Sequence, residues 1–417
     1  MTSEPADIER RLYVGLAHRA GEQAQPAGLM KLIRRGVIES GEFAYGRRYL
    51  EDPVAVPLNP EHLPLQGATF ALAESRIRDG GAMPLTLRDA LPDSWGRKVL
   101  EIRQGRPLSD IDALLLTNED RIGAMVFAET LPIESGQPPS TLLLLEDLAD
   151  ASRRVEAGMD IGPDMHLLLR GGSLGGARPK AAFVRDGKRW IAKFSSRGDD
   201  HDVEVIEAAT LWMAGACGID VPPFVLQPLA SGHALLVERF DRLGPVQAER
   251  RLHYLSASAL LDVPYASSRG SYVELAQLLR RISQRPKQDL HELFRRLVFN
   301  LAVGNSDDHV KNHGALQGDE GQWRLAPAFD LVMQISGHTG YQELAVLPGQ
   351  HASNLALARE AAPHFGLTAA AADAVIGDIG EFVALQAPAS VAAAGGSPEL
   401  VRRVAHFIEQ QAERIAL

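Results

Sequence analysis

An α+β fold in which a strand-rich half precedes a helix-rich half is what this sequence predicts. Three observations predict it. Two alternating segments, AAFVR (181–185) and RWIAKF (189–194), flank Asp186-Gly187-Lys188, and an Asp-Gly between such segments signals a β-hairpin. From about Tyr254 onward helical patterns dominate. In the stretch FNLAVGNSDDHVKNHGAL (299–316), an apolar helix end (Phe299, Leu301, Val303) runs out at Gly304. Asn305, Ser306, Asp307, Asp308, His309, Lys311, Asn312 and His313 follow at once. So much hydrogen-bonding and titratable capacity just past a hydrophobic helix resembles a preorganised site on a rigid support.

At 417 residues the chain is long enough for two or three domains. Its 45% hydrophobic and 23% charged content is that of an ordinary globular protein. A net charge of −10 makes the whole chain a poor non-specific nucleic-acid binder. Direct DNA contact would need a local basic patch or a partner. One cysteine, Cys217, excludes an internal disulfide framework and a multi-cysteine zinc site, and fits a reducing cytoplasm. The N-terminus lacks the apolar core of a signal peptide, and no membrane span is expected.

Along the chain, RLYVGLA (11–17) reads as a strand. TLRDALPDSWGRKVLEIR (86–103) is helical but broken at Pro92, with Asp93 or Ser94 capping the next helix. NEDRIGAMVF (118–127) looks like a loop entering a strand. LPIESGQPPS (131–140), with three prolines and a glycine, is the linker candidate. A helix is expected from about Val203 to Cys217, stopped by Gly218, and LLVERF (235–240) reads as a buried strand. Asp289 with Glu292 forms a capping-box-like start for the helix through Leu293, Leu297 and Leu301. The remainder, from Leu355, is helical with a break at Ala394-Gly395-Gly396-Ser397. The Ala-rich part of it, 367–376, reads as a core helix.

Several motifs carry chemistry. Gly171, Gly172, Gly175 and Gly176 surround Ser173. Closely spaced glycines let backbone N–H groups approach phosphate oxygens, and Lys180 adds positive charge. No Walker A sequence is present. Lys193 ends a strand-like run and Glu207 lies on the next helix. A strand Lys paired to a helix Glu holds nucleotide phosphates in protein kinases. Asp307 and Asn312 have the spacing D-x-x-x-x-N of a kinase catalytic loop, where the Asp takes the hydroxyl proton and the Asn holds a metal ion. Asp330 would be a second metal carboxylate. His309 reads as a hydrogen-bonder of this loop. Lys311 reads either as a γ-phosphate contact or as solvated.

Together these segments resemble the HipA-type serine/threonine kinases, toxins of bacterial toxin–antitoxin pairs. LRDALPDSWGRKVLE and EDRIGAMVF are similar to the family's N-terminal subdomain. GGSLGGARPKA is similar to its glycine loop, IAKF to its ATP lysine, LVERFDR to its hinge, GNSDDHVKN to its catalytic loop and AFD to its metal carboxylate. The resemblance implies a protein-kinase-like two-lobed fold: an N-terminal subdomain over 1–135, a strand-rich N-lobe over 145–245 and a helical C-lobe over 246–417. It implies Asp307 as catalytic base, Asn312 and Asp330 as Mg²⁺ ligands, Lys193 on ATP phosphates and Glu207 positioning Lys193. The backbone of Glu238 and Phe240 would meet adenine, and Ser173 would be autophosphorylated. It further implies a HipB-like antitoxin with a DNA-binding domain, DNA contact only through that partner, and a protein target in translation such as an aminoacyl-tRNA synthetase.

Three alternatives stand beside this reading. Gly171-Gly172-Ser173-Leu174-Gly175 matches the G-x-S-x-G elbow of serine hydrolases, which requires a helix straight after the serine. His309 and His313 have a spacing that could ligate zinc on a helix. A kinase-like fold could also be retained as a non-catalytic binding module acting through a DNA-bound antitoxin.

Overall fold

The computed structural model describes residues 8–17, 23–77, 80–117, 120–134, 144–159, 177–318, 321–336 and 340–416. The glycine loop with Gly172, Ser173, Gly175 and Gly176, and most of the linker candidate, lie outside these residues.

The N-terminal part is built on an antiparallel sheet. Its strands β1 (Ile8–Leu16), β2 (Gln25–Arg35), β3 (Ile38–Tyr45), β4 (Phe70–Arg76) and β5 (Met125–Ala128) lie in the order β4-β3-β2-β1-β5. Alternation places Leu12, Val14, Met30, Leu32 and Phe43 in the core. The helix Ser94–Gln104 starts at Asp93, whose carboxylate accepts from Gly96 N at 3.1 Å, and ends at Gly105 in left-handed conformation (φ 62°). Its Trp95 and Val99 pack on the second sheet, beside Trp190, Phe194 and Leu236.

That second sheet comprises β6 (Lys180–Arg185), β7 (Lys188–Phe194), β8 (Phe224–Pro228) and β9 (His233–Glu238), ordered β6-β7-β9-β8. The expected hairpin joins β6 to β7 through Asp186 (φ 51°) and Gly187 (φ 73°). Both positive angles match a type I′ turn, whose twist suits the flanking strands. The helix Val203–Ala216 follows β7, capped by Asp202 onto Val205 N at 3.1 Å, and is buried on nearly all sides.

Beyond β9 helices dominate: Tyr272–Ile282, Pro286–Ala302, Ala369–Ala393 and Pro398–Ile415. Sequence reading missed a short sheet among them. Tyr254–Ser256, Gly314–Gln317 and Trp323–Leu325 pair antiparallel and brace the polar stretch from behind. The capping-box reading of Asp289 is also corrected. The helix begins at Pro286, which suits a first-turn position because its missing N–H is not needed there. Asp289 sits inside the helix, 1% exposed. It accepts from Arg324 Nη2 at 2.7 Å, Leu325 N at 3.0 Å and Ser283 Oγ at 2.6 Å. It ties the helix to the small sheet rather than capping it.

Among the described residues one helix, Ala369–Ala393, is long and apolar enough to cross a membrane by composition. One face of it packs on the helices Val203–Ala216, Pro286–Ala302 and Pro398–Ile415. Its other face carries Asp373, Asp378 and Glu381 exposed.

Candidate active site

The Pro286–Ala302 helix delivers the polar stretch, and a buried network fixes its course. Asn305 Nδ2 donates to Asn300 Oδ1 at 3.1 Å, and Asn300 Nδ2 donates to Tyr272 Oη at 2.9 Å. The Tyr272 hydroxyl donates in turn to Asp308 Oδ2, while His313 Nε2 bonds Asp308 Oδ1 at 2.8 Å. Buried polar groups linked in this way specify one loop geometry. With Asp308 and His313 committed below, Asp307 is left exposed toward a cleft of about 680 Å³.

Asp307, Asn312 and Asp330 line that cleft with Lys193 and Glu207. Asn312 Nδ2 donates to the Asp307 carbonyl at 3.1 Å, which leaves its side-chain oxygen for a cation. Lys193 Nζ donates to Glu207 Oε1 at 2.5 Å and also to Asp330 Oδ1. Burial opposes the Lys193 charge, but Asp330 and Glu207 outweigh it and hold the ammonium protonated well above its usual range. Asp330 shows the mirror effect: burial works to raise its pKa, and Lys193 with Lys180 hold it below the usual carboxylate value. Its φ of 53° is left-handed, unusual for a non-glycine residue. The protein packed around Asp307 raises its pKa, His309 pulls it back, and Asp330 adds to the rise. Asn312 and an ionised Asp330 offer the hard oxygen donors that suit Mg²⁺.

The cleft continues inward as an apolar slot bounded by Ile191, Val237, Phe240 and Phe329. The Phe240 ring lies 5.4 Å from Phe329 and 5.7 Å from Tyr254. The Glu238 amide already donates to Pro223 O at 2.8 Å, and Pro223 has no N–H to return a bond. Of the two Glu238 backbone groups, the amide is thus taken by Pro223 and the carbonyl receives nothing back from it.

His309 takes a loop role: its Nδ1 accepts from Lys311 N at 3.2 Å and its ring meets Tyr265 edge-on at 4.5 Å. His313 is buried on Asp308, so the two histidines do not share a metal, and no cluster of three His, Cys, Asp or Glu able to hold one occurs among the described residues. Residues 177–179 lead into strand β6, which is not the helix a hydrolase elbow needs.

Some cleft residues escaped the sequence reading. Asp93 was legible only as a cap. Its Oδ2 is buried without a hydrogen-bond partner and lies 3.7 Å from Lys180 Nζ. Burial lifts its pKa to about 6, against the pull of Lys180, the Gly96 amide and Lys311. Asp89 accepts Ser256 N at 2.6 Å and Ser256 Oγ at 2.5 Å, and Lys311 acts on both aspartates electrostatically. Lys311 thus lines the cleft among carboxylates rather than pointing to open solvent. Ile122 reaches the slot from the N-terminal part. The available signals were the acidic and turn residues of LRDALPDSWG for Asp89 and Asp93, and the segment EDRIGAMVF for Ile122.

A family model for the HipA-like C-terminal domain matches residues 172–386. The chain belongs to the HipA family. A Sinorhizobium fredii relative named as a candidate kinase, Y4mE, is 30% identical over 318 residues, 70% of this chain and 72% of that one. A second from the same organism, Y4dM, also named as a candidate kinase, is 25% identical over 81% of this chain and 82% of its own. The structure of Shewanella oneidensis HipA, solved with HipB and operator DNA, superposes with a TM-score of 0.67. It covers 97% of this chain and 96% of that one at 18% identity. The expected protein-kinase-like α+β fold is thereby shown, and at a coarse level the HipA-family chain is a kinase relative. Asp89, Asp93 and Ile122 fall before the matched HipA domain.

Proposed function

We propose that this HipA-family chain is an ATP- and Mg²⁺-dependent serine/threonine protein kinase, acting as a toxin that a HipB-like antitoxin neutralises. One observation carries the reading. Lys193 is pinned between Glu207 and Asp330 in the same cleft that holds Asp307 and Asn312. Phosphoryl transfer asks mainly for positioning and charge neutralisation. Lys193 and Lys180 are the cations for the phosphates, and Asn312 and Asp330 would hold Mg²⁺, which neutralises charge on the transferring group. The substrate hydroxyl oxygen attacks the γ-phosphorus, its proton passes to Asp307, and the bond to the β-phosphate oxygen breaks to release ADP. The slot beside Phe240 takes adenine. Residues 1–135, 145–245 and 246–417 act as N-terminal subdomain, N-lobe and C-lobe.

The partner proposal draws on the Shewanella complex, in which HipA sits with HipB and operator DNA. With a net charge of −10, this chain would reach DNA only through such a partner. The target proposed is a protein of translation, an aminoacyl-tRNA synthetase among the candidates. Phosphoproteomics after controlled expression, compared between the unmodified protein and Asp307→Asn, tests activity and target together. New phosphosites that require Asp307 support the reading. Their absence, with nucleotide bound but not turned over, would favour the non-catalytic binding module.

A further inference from the structure

Ile122 belongs to the N-terminal part, three residues before β5, yet it lines both the apolar slot beside Phe240 and the wider cleft of Asp307. It is half-buried between two buried neighbours, Arg121 and Gly123. The turn that carries it is gripped by arginines from the other side of the slot. Arg239 donates to the Asp120 carbonyl at 2.8 Å and the Arg121 carbonyl at 2.9 Å. Arg242 donates to the same Arg121 carbonyl at 2.6 Å and to Gly123 O at 3.1 Å. Arg251 adds bonds to Gly123 O at 3.1 and 2.9 Å. Gly123 N donates back to Asp241 Oδ2 at 2.7 Å, and Asp120 pairs with Arg189 at 2.6 Å.

The chemistry of this grip is unusual. Arg121, Arg189, Arg239, Arg242 and Arg251 are buried with Asp120, Asp241 and Glu249 as the acids among them. Cations outnumber anions, and carbonyls supply further acceptors: those of Asp120, Arg121 and Gly123 for Arg239, Arg242 and Arg251, and those of Leu114 and Met125 for Arg121. Removing a partner from such a network leaves buried charge uncompensated, so the turn is held firmly. Gly123, at φ 77°, lets it pass within 3.1 Å of Tyr254 N, measured from where a Cβ would stand. Arg239 and Asp241, which hold the turn, also flank Phe240.

We propose that Ile122 is a nucleotide-binding residue that closes the base slot from the N-terminal part, and that the arginine grip links nucleotide binding to the docking of that part. The proposal rests on the nucleotide reading of the cleft. The base would lie between Ile122 on one side and the end of β9 with the turn after it, residues 237–241, on the other, so binding tightens the joint and loosening the joint weakens binding.

The test uses the full chain and Mg·ADP. Calorimetric titration should show Ile122→Ala weakening Mg·ADP about tenfold, since removing methyl groups from an apolar pocket has effects of that order. The nucleotide-free variant should melt near the wild-type temperature, because the Ile122 side chain is no part of the grip. Arg251→Met should weaken Mg·ADP several-fold although Arg251 does not line the slot. Hydrogen exchange on the unmodified protein gives an independent arm: Mg·ADP should slow exchange in peptides covering 120–128, and leave the β2–β3 hairpin unchanged. Wild-type Mg·ADP affinity in Ile122→Ala, with no change in exchange over 120–128, would overturn the proposal and leave the kinase reading standing. No Mg·ADP binding to the unmodified protein would overturn both.

Discussion

Asp308 accepts a hydrogen bond from His313 Nε2 at 2.8 Å, whereas its neighbour Asp307 faces the cleft with no side-chain hydrogen bond from the described residues. Two adjacent carboxylates are thereby given different work, one structural and one available for chemistry. Asp307→Asn should abolish phosphoryl transfer and leave Mg·ATP affinity within about threefold, because the base acts on the hydroxyl and not on the nucleotide. Normal turnover in that variant, measured by ATP consumption, would sink the kinase assignment.

Asp308→Ala should behave otherwise. It removes the acceptor for both Tyr272 and His313 in a buried network. Unsatisfied buried donors cost about 1–3 kcal/mol each, so with two of them chemical denaturation should show a loss of about 2–6 kcal/mol. A variant as stable as wild type would contradict the network's role.

Asp330→Ala should lose the Mg²⁺-dependent part of nucleotide binding, because it removes the ionised member of the metal donor set. Titrating nucleotide with and without Mg²⁺ reads this directly. Equal Mg²⁺ dependence in the variant would place the cation elsewhere.

Asp93 predicts a pH dependence. Its pKa rises from 3.8 in the unfolded reference to about 6 when folded. Between those values the folded protein keeps a proton that the unfolded chain releases. Its contribution to stability therefore falls as pH rises through that window and is constant above it. Asparagine is an equally good N-cap and mimics the protonated form. Asp93→Asn should match wild type near pH 4 and exceed it by roughly 2 kcal/mol at pH 7, the order set by a shift of this size. A stability difference independent of pH would refute the assignment.

Ser173 lies outside the described residues, and its prediction rests on the sequence. A phosphate there adds roughly −1.5 to −2 charges, which should expel nucleotide if the glycine-rich stretch holds its phosphates as proposed. Intact mass should show a phosphate at Ser173 in the unmodified protein and none in Asp307→Asn, and Ser173→Glu should bind Mg·ATP more weakly.

What the amino-acid sequence determined by itself was local. The Asp186-Gly187 turn, the Asp93 cap and the stop at Gly218 each follow from side chains bonding or freeing the backbone within a few residues. The polar stretch from Asn305 to His313 was legible for the same reason, since all its members adjoin in the chain. Tertiary structure alone decided the rest. The D-x-x-x-x-N spacing already pointed to Asp307, but what holds Asp308 away from the cleft is Tyr272, thirty-six residues from it in the chain. The true role of Asp289 came from Arg324, thirty-five residues on. The entry of Ile122 into the slot came from arginines more than a hundred residues later. No local spacing encodes such contacts. They exist because burying a charge or a carbonyl is unfavourable until a partner arrives from another part of the fold, and only the packed molecule brings that partner.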